Sequence, residues 1–387
     1  MRILIDGIVY SNAPSGGVFN YFNEIIPRLG KIEGNTIEVF LPNESEVPAI
    51  SEGVHINRST LPSGKWFPNG PAKRFLGSVK RKIEATMNAG LAKKDAETVF
   101  HTTGTTPPPW KGIPSIATIH DMISEMFDEY SHLDHVKAIS LEKKRAVEFS
   151  NRLIAVSECT KRDLCRVFDI SPSRVDVIHH GVDHALFSRV RSEDEKSKLK
   201  SKYRLDKPFI LYVGGRLHHK NFERFAEAFA MSDLKKEVLL GLAGFPLEEA
   251  EIQNLKRLGI WQNVRPMTYP PVEELATLYQ MAEQFVLPSL YEGFGMSLVE
   301  AMAAGCPITA SNTGPFPELT AGAALLFDPK DPSDIARKME AMMDLKLQNQ
   351  YKTAGHQRAL DFSWDKSAEQ HLETYRKAVH PDQNGLK

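Results

Sequence analysis

Short apolar runs alternate along the chain with longer segments in which apolar residues recur at helical spacing. Runs this short are typical of buried strands, and their alternation with helices favours parallel sheets covered by helices on both faces. The sequence therefore predicts an α/β fold. The predicted strands are residues 2–5, 37–41, 115–119, 152–156, 175–178, 209–213, 237–243, 263–267, 284–287 and 307–310.

A charged, lysine-rich segment, residues 192–207, interrupts this alternation near the middle of the 387-residue chain. It is predicted to be a solvated linker or a surface helix. The strands before and after it form two separate series, and a chain of this length has room for two domains. We therefore predict two doubly wound domains that divide near residues 185–205, with ligands at the carboxyl ends of their strands.

The most informative segment is residues 287–307, which read LPSLYEGFGMSLVEAMAAGCP. A strand ends here, a glycine loop follows, and a helix is predicted to begin near Ser297 and to end at Gly305. Such a loop leaves free backbone N–H groups at the positive end of the helix dipole, which suits anionic or hydroxyl-rich ligands. Glu292 and Glu300 flank the loop. Alternatively, Ser297 and Glu300 form a capping box that only satisfies the helix N-terminus.

A second polar segment, residues 209–221, reads FILYVGGRLHHKN. A predicted strand ends at Gly214 and Gly215, and Arg216 and Lys220 follow. Two cations four residues apart suit a diphosphate, because arginine offers a planar fork of donors and lysine a point charge. The alternative is a pair of exposed surface cations.

Two features of the amino-terminal half also fit a ligand site. Gly16 and Gly17 follow the first predicted strand and precede a helix, so that the backbone can approach a phosphate or a substrate closely. His120 follows the predicted strand 115–119, where it can donate a hydrogen bond or a proton near neutral pH. The alternative for His120 is a structural histidine that binds a neighbouring backbone group.

The spacing from Glu292 to Glu300 resembles the E-x7-E motif of retaining glycosyltransferases with the GT-B fold, in particular family four of these enzymes and its bacterial polysaccharide mannosyltransferases. This resemblance implies two Rossmann-like domains that face each other across a cleft. It implies an acceptor-binding domain over residues 1–185, a nucleotide-sugar-binding domain over residues 186–362 and a helix over residues 363–380 that crosses back to the first domain.

The same resemblance implies roles for the polar residues. Glu292 would approach the hydroxyls of the donor sugar, and Glu300 would hold the nucleotide ribose. Arg216 and Lys220 would neutralise the pyrophosphate as it leaves. His120 would contact the donor sugar and support the transition state, so that the catalytic set is His120, Arg216, Lys220 and Glu292. The donor site would also include Gly16, Gly17, Gly214, Gly215, Gly293, Phe294, Gly295, Met296, Ser297 and Leu298.

The sequence also indicates which cofactors to expect. No D-x-D motif stands at a predicted strand end, and Cys159, Cys165 and Cys306 show no metal-ligand spacing. We therefore expect an enzyme that needs neither a metal nor another cofactor, with Arg216 and Lys220 supplying the electrostatic stabilisation.

Charge and hydropathy restrict the class of protein and its expected location in the cell. The net charge of −1 excludes a globally basic nucleic-acid-binding protein. The amino-terminal apolar run is too short for a signal peptide, and no stretch is long enough to span a membrane, so we expect a cytoplasmic protein. The basic, amphipathic residues 71–94 could rest on the inner face of an anionic membrane and admit a lipid-linked acceptor. The alternative is a helix that packs on the core and exposes its charged face.

The predicted function is transfer of a hexose, mannose or glucose, from a donor of the GDP-mannose or UDP-glucose type, with retention. The acceptor would be a hydroxyl of a saccharide or of a lipid-linked saccharide, in polysaccharide or glycolipid synthesis. One alternative is a sugar-nucleotide epimerase of the same fold, which would consume the donor without an acceptor. The other is a non-catalytic protein that binds a sugar nucleotide and shows no turnover.

Overall fold

The structure is a computed structural model that describes residues 1–12, 16–41, 53–58, 97–104 and 112–381. The chain divides into two compact units. The first unit contains Met1–His180 and Trp364–Lys387, and the second contains Gly181–Ser363. Each unit is built on one parallel sheet.

Within the described residues, the first sheet has the strand order β3-β2-β1-β4-β5-β6-β7, and all neighbouring strands are parallel. The order reverses between β1 and β4, which is the position where open α/β sheets bind ligands. The strands are β1 (Arg2–Ile5), β2 (Thr36–Leu41), β3 (Val54–Arg58), β4 (Thr98–Thr102), β5 (Ser115–Ile119), β6 (Arg152–Ala155) and β7 (Val175–Val177).

The helices of the first unit range from a short one with no buried residue to a long one with a continuous apolar stripe. The second helix buries Tyr21, Phe22, Ile25 and Leu29, whose spacing places them on one face. The fifth helix is capped by Ser157, whose hydroxyl accepts a hydrogen bond from the Thr160 amide. The helices are α1 (Val9–Asn12), α2 (Gly17–Lys31), α3 (Ile123–Met126), α4 (Asp134–Phe149) and α5 (Glu158–Phe168).

The second sheet has the order β10-β9-β8-β11-β12-β13, again with parallel neighbours throughout. Its order reverses between β8 and β11. The strands are β8 (Phe209–Val213), β9 (Leu239–Gly244), β10 (Val264–Thr268), β11 (Gln284–Leu287), β12 (Ile308–Ser311) and β13 (Leu325–Phe327).

The charged segment that begins at residue 192 is a surface helix rather than a linker. Ser192 and Glu195 form a reciprocal capping box at its start, and Arg204 ends it in the left-handed conformation. The helices of the second unit are α6 (His184–Phe187), α7 (Glu193–Tyr203), α8 (Phe222–Met231), α9 (Glu249–Arg257), α10 (Val272–Met281), α11 (Met296–Ala303), α12 (Phe316–Thr320), α13 (Pro332–Ala341) and α14 (Leu345–Ala359).

The final helix, α15 (Trp364–Val379), belongs to the first unit. It packs against α2 and against β4, β5 and β6. Its buried residues recur every three or four positions, so that one face of the helix is covered along its length. These residues are Trp364, Ser367, Ala368, His371, Leu372, Thr374, Tyr375 and Ala378.

Every strand predicted from the sequence is present, with ends that agree to within one or two residues. Three strands were not predicted, namely β3, β4 and β13. Val54–Arg58 is an edge strand with mostly polar, partly exposed residues, and Leu325–Phe327 is only three residues long. Thr98–Thr102 is fully buried but carries two threonines and a histidine, and therefore lacks an apolar run.

Candidate active site

The glycine loop after β11 leads into an uncapped helix start. Helix α11 begins at Met296, one residue before the predicted start, and its N-cap residue Gly295 provides no side-chain hydrogen bond. Gly295 has φ 111°, and a Cβ at this position would lie 3.1 Å from the ring of Phe316, so that only glycine fits. The helix ends before Gly305, which has φ 70° and is the C′ residue, as predicted.

Two polar segments that are far apart in the sequence meet beside this loop. The Lys220 ammonium group donates to both carboxylate oxygens of Glu292, at 2.7 and 2.9 Å. The Ser289 hydroxyl donates to the same carboxylate at 2.8 Å. The side chains of Lys220 and Glu292 are 25% and 13% exposed, so the pair can still be reached by a ligand. Sequence reasoning missed Ser289, although it lies only three residues before Glu292.

The loop after β8 touches the end of β9 backbone to backbone. The Gly214 amide donates to the Ala243 carbonyl at 2.9 Å. A Cβ on Gly244, which has φ 138°, would lie 2.6 Å from the carbonyl oxygen of Gly214. The buried Tyr212 hydroxyl donates to the Gly215 carbonyl at 2.5 Å, and burial raises the pKa of this tyrosine. The predicted Gly214-Gly215 turn is therefore fixed by its neighbours at the carboxyl edge of the sheet.

Arg216 lies in the same loop but contacts other groups than Lys220 does. Its Nε donates to Glu251 at 2.6 Å, and its Nη2 donates to the carbonyls of Phe245 and Pro246 at 3.1 and 2.6 Å. The side chain is only 4% exposed. Its Nη1 is buried and has no hydrogen-bond partner. In this structure the guanidinium braces the β9–α9 loop, and one donor remains unused.

Glu300 occupies the second turn of α11 and does not cap the helix. Because the N-cap residue is Gly295, the capping box of Ser297 and Glu300 is absent, and that interpretation was wrong. Burial raises the pKa of Glu300 to about 7, against an opposing hydrogen bond from Tyr279. The Tyr279 hydroxyl lies 3.3 Å from one carboxylate oxygen. No sequence signal identified Tyr279.

His120 belongs to the first unit and directly follows β5. Burial lowers the pKa of its imidazole to about 4, with Asp121 opposing and Lys143 adding to the shift, so the ring is neutral near pH 7. Its Nε2 is buried and has no hydrogen-bond partner. The ring contacts Tyr21 edge to face, with centroids 4.9 Å apart. A neutral imidazole with one unused nitrogen can still donate to, or accept from, a ligand.

A network of histidines and tyrosines joins α15 to the first sheet, and no sequence pattern indicated it. His101 contacts the Tyr375 hydroxyl at 2.7 Å and the Thr118 hydroxyl at 2.9 Å. The Tyr21 hydroxyl contacts His371 Nε2, and His371 Nδ1 lies 2.6 Å from the Ser367 carbonyl. These groups therefore satisfy one another in the interior of the first unit.

Gly16 and Gly17 stand at the start of α2, with Gly16 as the N-cap residue at φ 104°. A Cβ at either position would meet no atom within 4 Å. The preceding residues 13–15 lie outside the described residues, as do residues 71–94. The loop of the first unit is therefore open on the side that the structure describes.

The predicted site residues thus form two sets, one in each compact unit. Gly16, Gly17 and His120 lie in the first unit, and the others lie in the second. In the described part of the chain, no group of three or more histidine, cysteine or acidic residues is arranged to hold a metal ion. No helix among these residues is both long and apolar enough to cross a membrane.

Two family models match the chain, and together they span most of it. The model for glycosyl transferases group 1 matches residues 193–358, and the model for Glycosyltransferase Family 4 matches residues 15–186. The first match contains all the site residues of the second unit. The second contains Gly16, Gly17 and His120.

The chain is also similar to mannosyltransferases. It is 26% identical to O-antigen chain mannosyltransferase B of Escherichia coli, over 68% of this chain and 70% of that protein. It is 26% identical to the serotype-specific mannosyltransferase WbdA of Escherichia coli over 71% of this chain. That match covers 34% of WbdA, so the chain spans about a third of that relative's length.

Solved structures agree with the fold. A sucrose-phosphate synthase from Thermosynechococcus elongatus superimposes with a TM-score of 0.76 at 23% identity, over 98% of this chain and 99% of that one. Anabaena Alr3699/HepE, solved with UDP and glucose, gives a TM-score of 0.71 at 18% identity, over 97% and 100% of the two chains. With the matched family models, these likenesses identify the fold and the enzyme class. The chain belongs to the glycosyltransferases of the GT-B fold and is similar to their family four.

Proposed function

We propose that this protein transfers a hexose, mannose or glucose, from a nucleotide diphosphate sugar to an acceptor hydroxyl with retention of configuration. The observation that carries the proposal is the Lys220–Glu292 pair beside the uncapped start of α11. It brings together a cation for phosphate, a carboxylate for sugar hydroxyls and the amino-terminal end of a helix that no side chain caps. The mannosyltransferase relatives and the UDP-bound Anabaena structure support a nucleotide-sugar donor.

The pair also suggests how the donor enters. Without a ligand, Lys220 and Glu292 neutralise each other across 2.7 Å. A diphosphate carries more negative charge than one carboxylate, so it would take over Lys220 and release Glu292 to accept hydrogen bonds from the sugar. The unused Nη1 of Arg216 could then serve a phosphate oxygen. These donors and the α11 amides would stabilise the leaving diphosphate, and we propose that no metal ion or other cofactor is needed.

In the proposed reaction, the bond from the anomeric carbon to the diphosphate oxygen breaks. The acceptor oxygen bonds to the same face of that carbon, and the acceptor proton passes to the departing phosphate. His120, with its neutral ring, would donate a hydrogen bond to the donor sugar rather than carry charge. The acceptor is proposed to be a saccharide or a lipid-linked saccharide.

A thermal-shift panel tests the donor site directly. The protein would be mixed with GDP, UDP, ADP, dTDP and their sugar forms, with EDTA present throughout. Stabilisation by one nucleotide series would support the site and name the base. No shift with any nucleotide would overturn the proposal, because binding of a nucleotide to the folded state must raise its stability.

Replacement of Lys220 tests the reaction itself. Lys220→Ala removes the cation and leaves the Glu292 charge without its partner, so we expect transfer to fall at least about 100-fold while the protein stays folded. Lys202→Ala is the matched control, since Lys202 binds Glu274 with the same geometry, at 2.7 and 2.8 Å, on the surface of the same unit. Transfer measured at saturating donor should be unchanged in this control. Wild-type turnover in Lys220→Ala or in Glu292→Ala would contradict the assignment.

The acceptor side can be tested separately. We propose that residues 71–94, which lie outside the described residues, rest on an anionic membrane and bring the enzyme to a lipid-linked acceptor. Sedimentation with vesicles of phosphatidylglycerol and phosphatidylcholine at low salt should carry the protein into the pellet. Protein that stays in the supernatant would remove the membrane contact and leave the donor site unaffected.

A further inference from the structure

We propose that Tyr279 is a positioning residue of the nucleotide site. Its hydroxyl holds the Glu300 carboxyl group where it can accept hydrogen bonds from the ribose hydroxyls. The inference rests on the proposed function, because it assigns a role to Tyr279 through the nucleotide that Glu300 binds. It adds a residue from helix α10 to a site whose other members in the second unit stand on the loops after β8 and β11 and on α11.

Tyr279 is buried and packs against two aromatic rings. Its side chain is fully buried. Its ring meets Phe285 of β11 edge to face, with centroids 5.5 Å apart, and Phe187 of α6 at 6.2 Å. These contacts restrict the ring, and its hydroxyl donates to Oε2 of Glu300 across 3.3 Å. A buried tyrosine hydroxyl needs a partner, and here the partner is the carboxylate.

The two oxygens of the Glu300 carboxyl group differ in their hydrogen bonding. Oε2 contacts Tyr279, whereas Oε1 has no hydrogen bond to any residue that the structure describes. The residue is only partly buried. A carboxylate that binds the protein through one oxygen and has a second acceptor oxygen without a partner suits a neighbouring pair of hydroxyls, because hydroxyls donate stronger hydrogen bonds to an ionised acceptor.

The proton on Glu300 decides whether it can play this part. Burial raises the pKa of Glu300 to about 7, and the Tyr279 hydroxyl lowers it because that hydrogen bond favours the charged form. The other titratable group beside Tyr279 is Cys306, whose own surroundings include Lys352 and Glu283. The Tyr279 hydroxyl is therefore the polar group that holds Glu300 in its ionised form near neutral pH.

The test is the substitution Tyr279→Phe, which keeps the ring and removes only the hydroxyl. Binding of GDP and of UDP would be measured by calorimetry from pH 5.5 to pH 9, and transfer kinetics over the same range. Loss of this hydrogen bond should weaken the ionisation equilibrium of Glu300 about fivefold. The pH midpoint of nucleotide binding should therefore move upward by about 0.7. We therefore expect KM for the donor to rise about threefold at pH 7 and to equal the wild-type value at pH 9, with kcat unchanged.

Tyr203→Phe is the matched control. The Tyr203 hydroxyl donates to Glu274 at 2.6 Å on the surface, so this variant loses the same kind of bond away from the site. It should keep the wild-type pH midpoint. Titration of the nucleotide phosphates is common to all variants and cancels in the comparison.

The outcomes separate this inference from the proposed function. A midpoint that shifts in Tyr279→Phe alone supports the inference. A wild type that binds nucleotide, with a Tyr279→Phe midpoint equal to that of Tyr203→Phe, overturns the inference and leaves the proposed function intact. A fall in kcat without a shift of the midpoint also overturns it, because the hydroxyl would then act on the reaction and not on Glu300. A wild type that binds no nucleotide removes both.

Discussion

At the scale of single residues, Glu300 is a carboxyl group in an environment that disfavours its ionised form. Burial raises its pKa from the usual 4.5 to about 7. Between these two values the folded state binds more protons than the unfolded chain, so the stability that depends on Glu300 falls as the pH rises through this window. Such a cost is typical of residues retained for a ligand rather than for the fold.

Glu300→Gln should therefore stabilise the protein at alkaline pH. The amide cannot ionise, so the variant should match the wild type near pH 4.5 and exceed it by about 1 to 3 kcal/mol at pH 8. Urea unfolding at the two pH values measures this difference. Glu274→Gln is the control of opposite sign, because Lys202 and Tyr203 lower the pKa of Glu274 and its charge contributes stability at pH 8. Equal gains in both variants would contradict the explanation.

The sequence indicates the charged residues of the site better than it indicates their partners. Lys220 and Glu292 follow the adjacent strands β8 and β11, and the carboxyl ends of adjacent parallel strands meet at one sheet edge. Arg216 stands in the same loop as Lys220, yet it binds Glu251 of α9. The partner of Arg216 depends on how two loops and a helix pack together. A local sequence pattern cannot predict this packing.

At the scale of elements, the phosphate side of the site depends on the contact between the loop after β8 and the end of β9. The ends of β8 and β9 come so close that Gly244 faces the carbonyl of Gly214 with no room for a side chain. This contact positions the turn from which Arg216 and Lys220 extend. Glycine is needed here both for the space and for the positive φ.

Gly244→Ala should be costly to stability and to nucleotide binding together. The added Cβ would lie 2.6 Å from the Gly214 carbonyl oxygen at a φ of 138°, so we expect a loss of about 2 to 4 kcal/mol in the free energy of unfolding. Gly259→Ala is the control, since it has φ 72° and meets no atom within 4 Å, and should cost about 1 kcal/mol. Denaturant unfolding compares the two variants. Equal losses would show that only backbone conformation matters.

The elements that sequence patterns missed share a physical reason. A strand is recognised from a run of apolar residues, and β4 is buried through threonine and histidine side chains that find partners elsewhere in the fold. Thr102, for example, donates to the buried Asp6 carboxylate at 2.6 Å. Burial achieved by hydrogen bonds between distant residues leaves no apolar period in the sequence.

At the scale of the whole molecule, the buried carboxyl group Glu300 and the buried histidines respond to pH in opposite directions. The second unit contains Glu300, whose raised pKa lowers the stability of the folded state at high pH. The first unit contains His101, His120, His180 and His371, and burial lowers the pKa of all four. For a lowered histidine, the unfolded chain takes up protons first as the pH falls, so stability is full above about 6.5 and is lost towards pH 4.

The first unit should therefore unfold before the second on acidification. His371 bridges α15 to Tyr21 and has a pKa of about 4. Because the unfolded chain takes up this proton more readily, the free energy of unfolding should be lower at pH 4 than at neutral pH by at most about 3 kcal/mol. Trp364 of α15, whose ring centroid lies 5.6 Å from that of His180, reports this unit by fluorescence. His371→Gln should flatten the loss of stability between pH 6.5 and 4.5. The exposed His135→Gln should not, and equal slopes in the two variants would show that the buried cluster does not control the acid response.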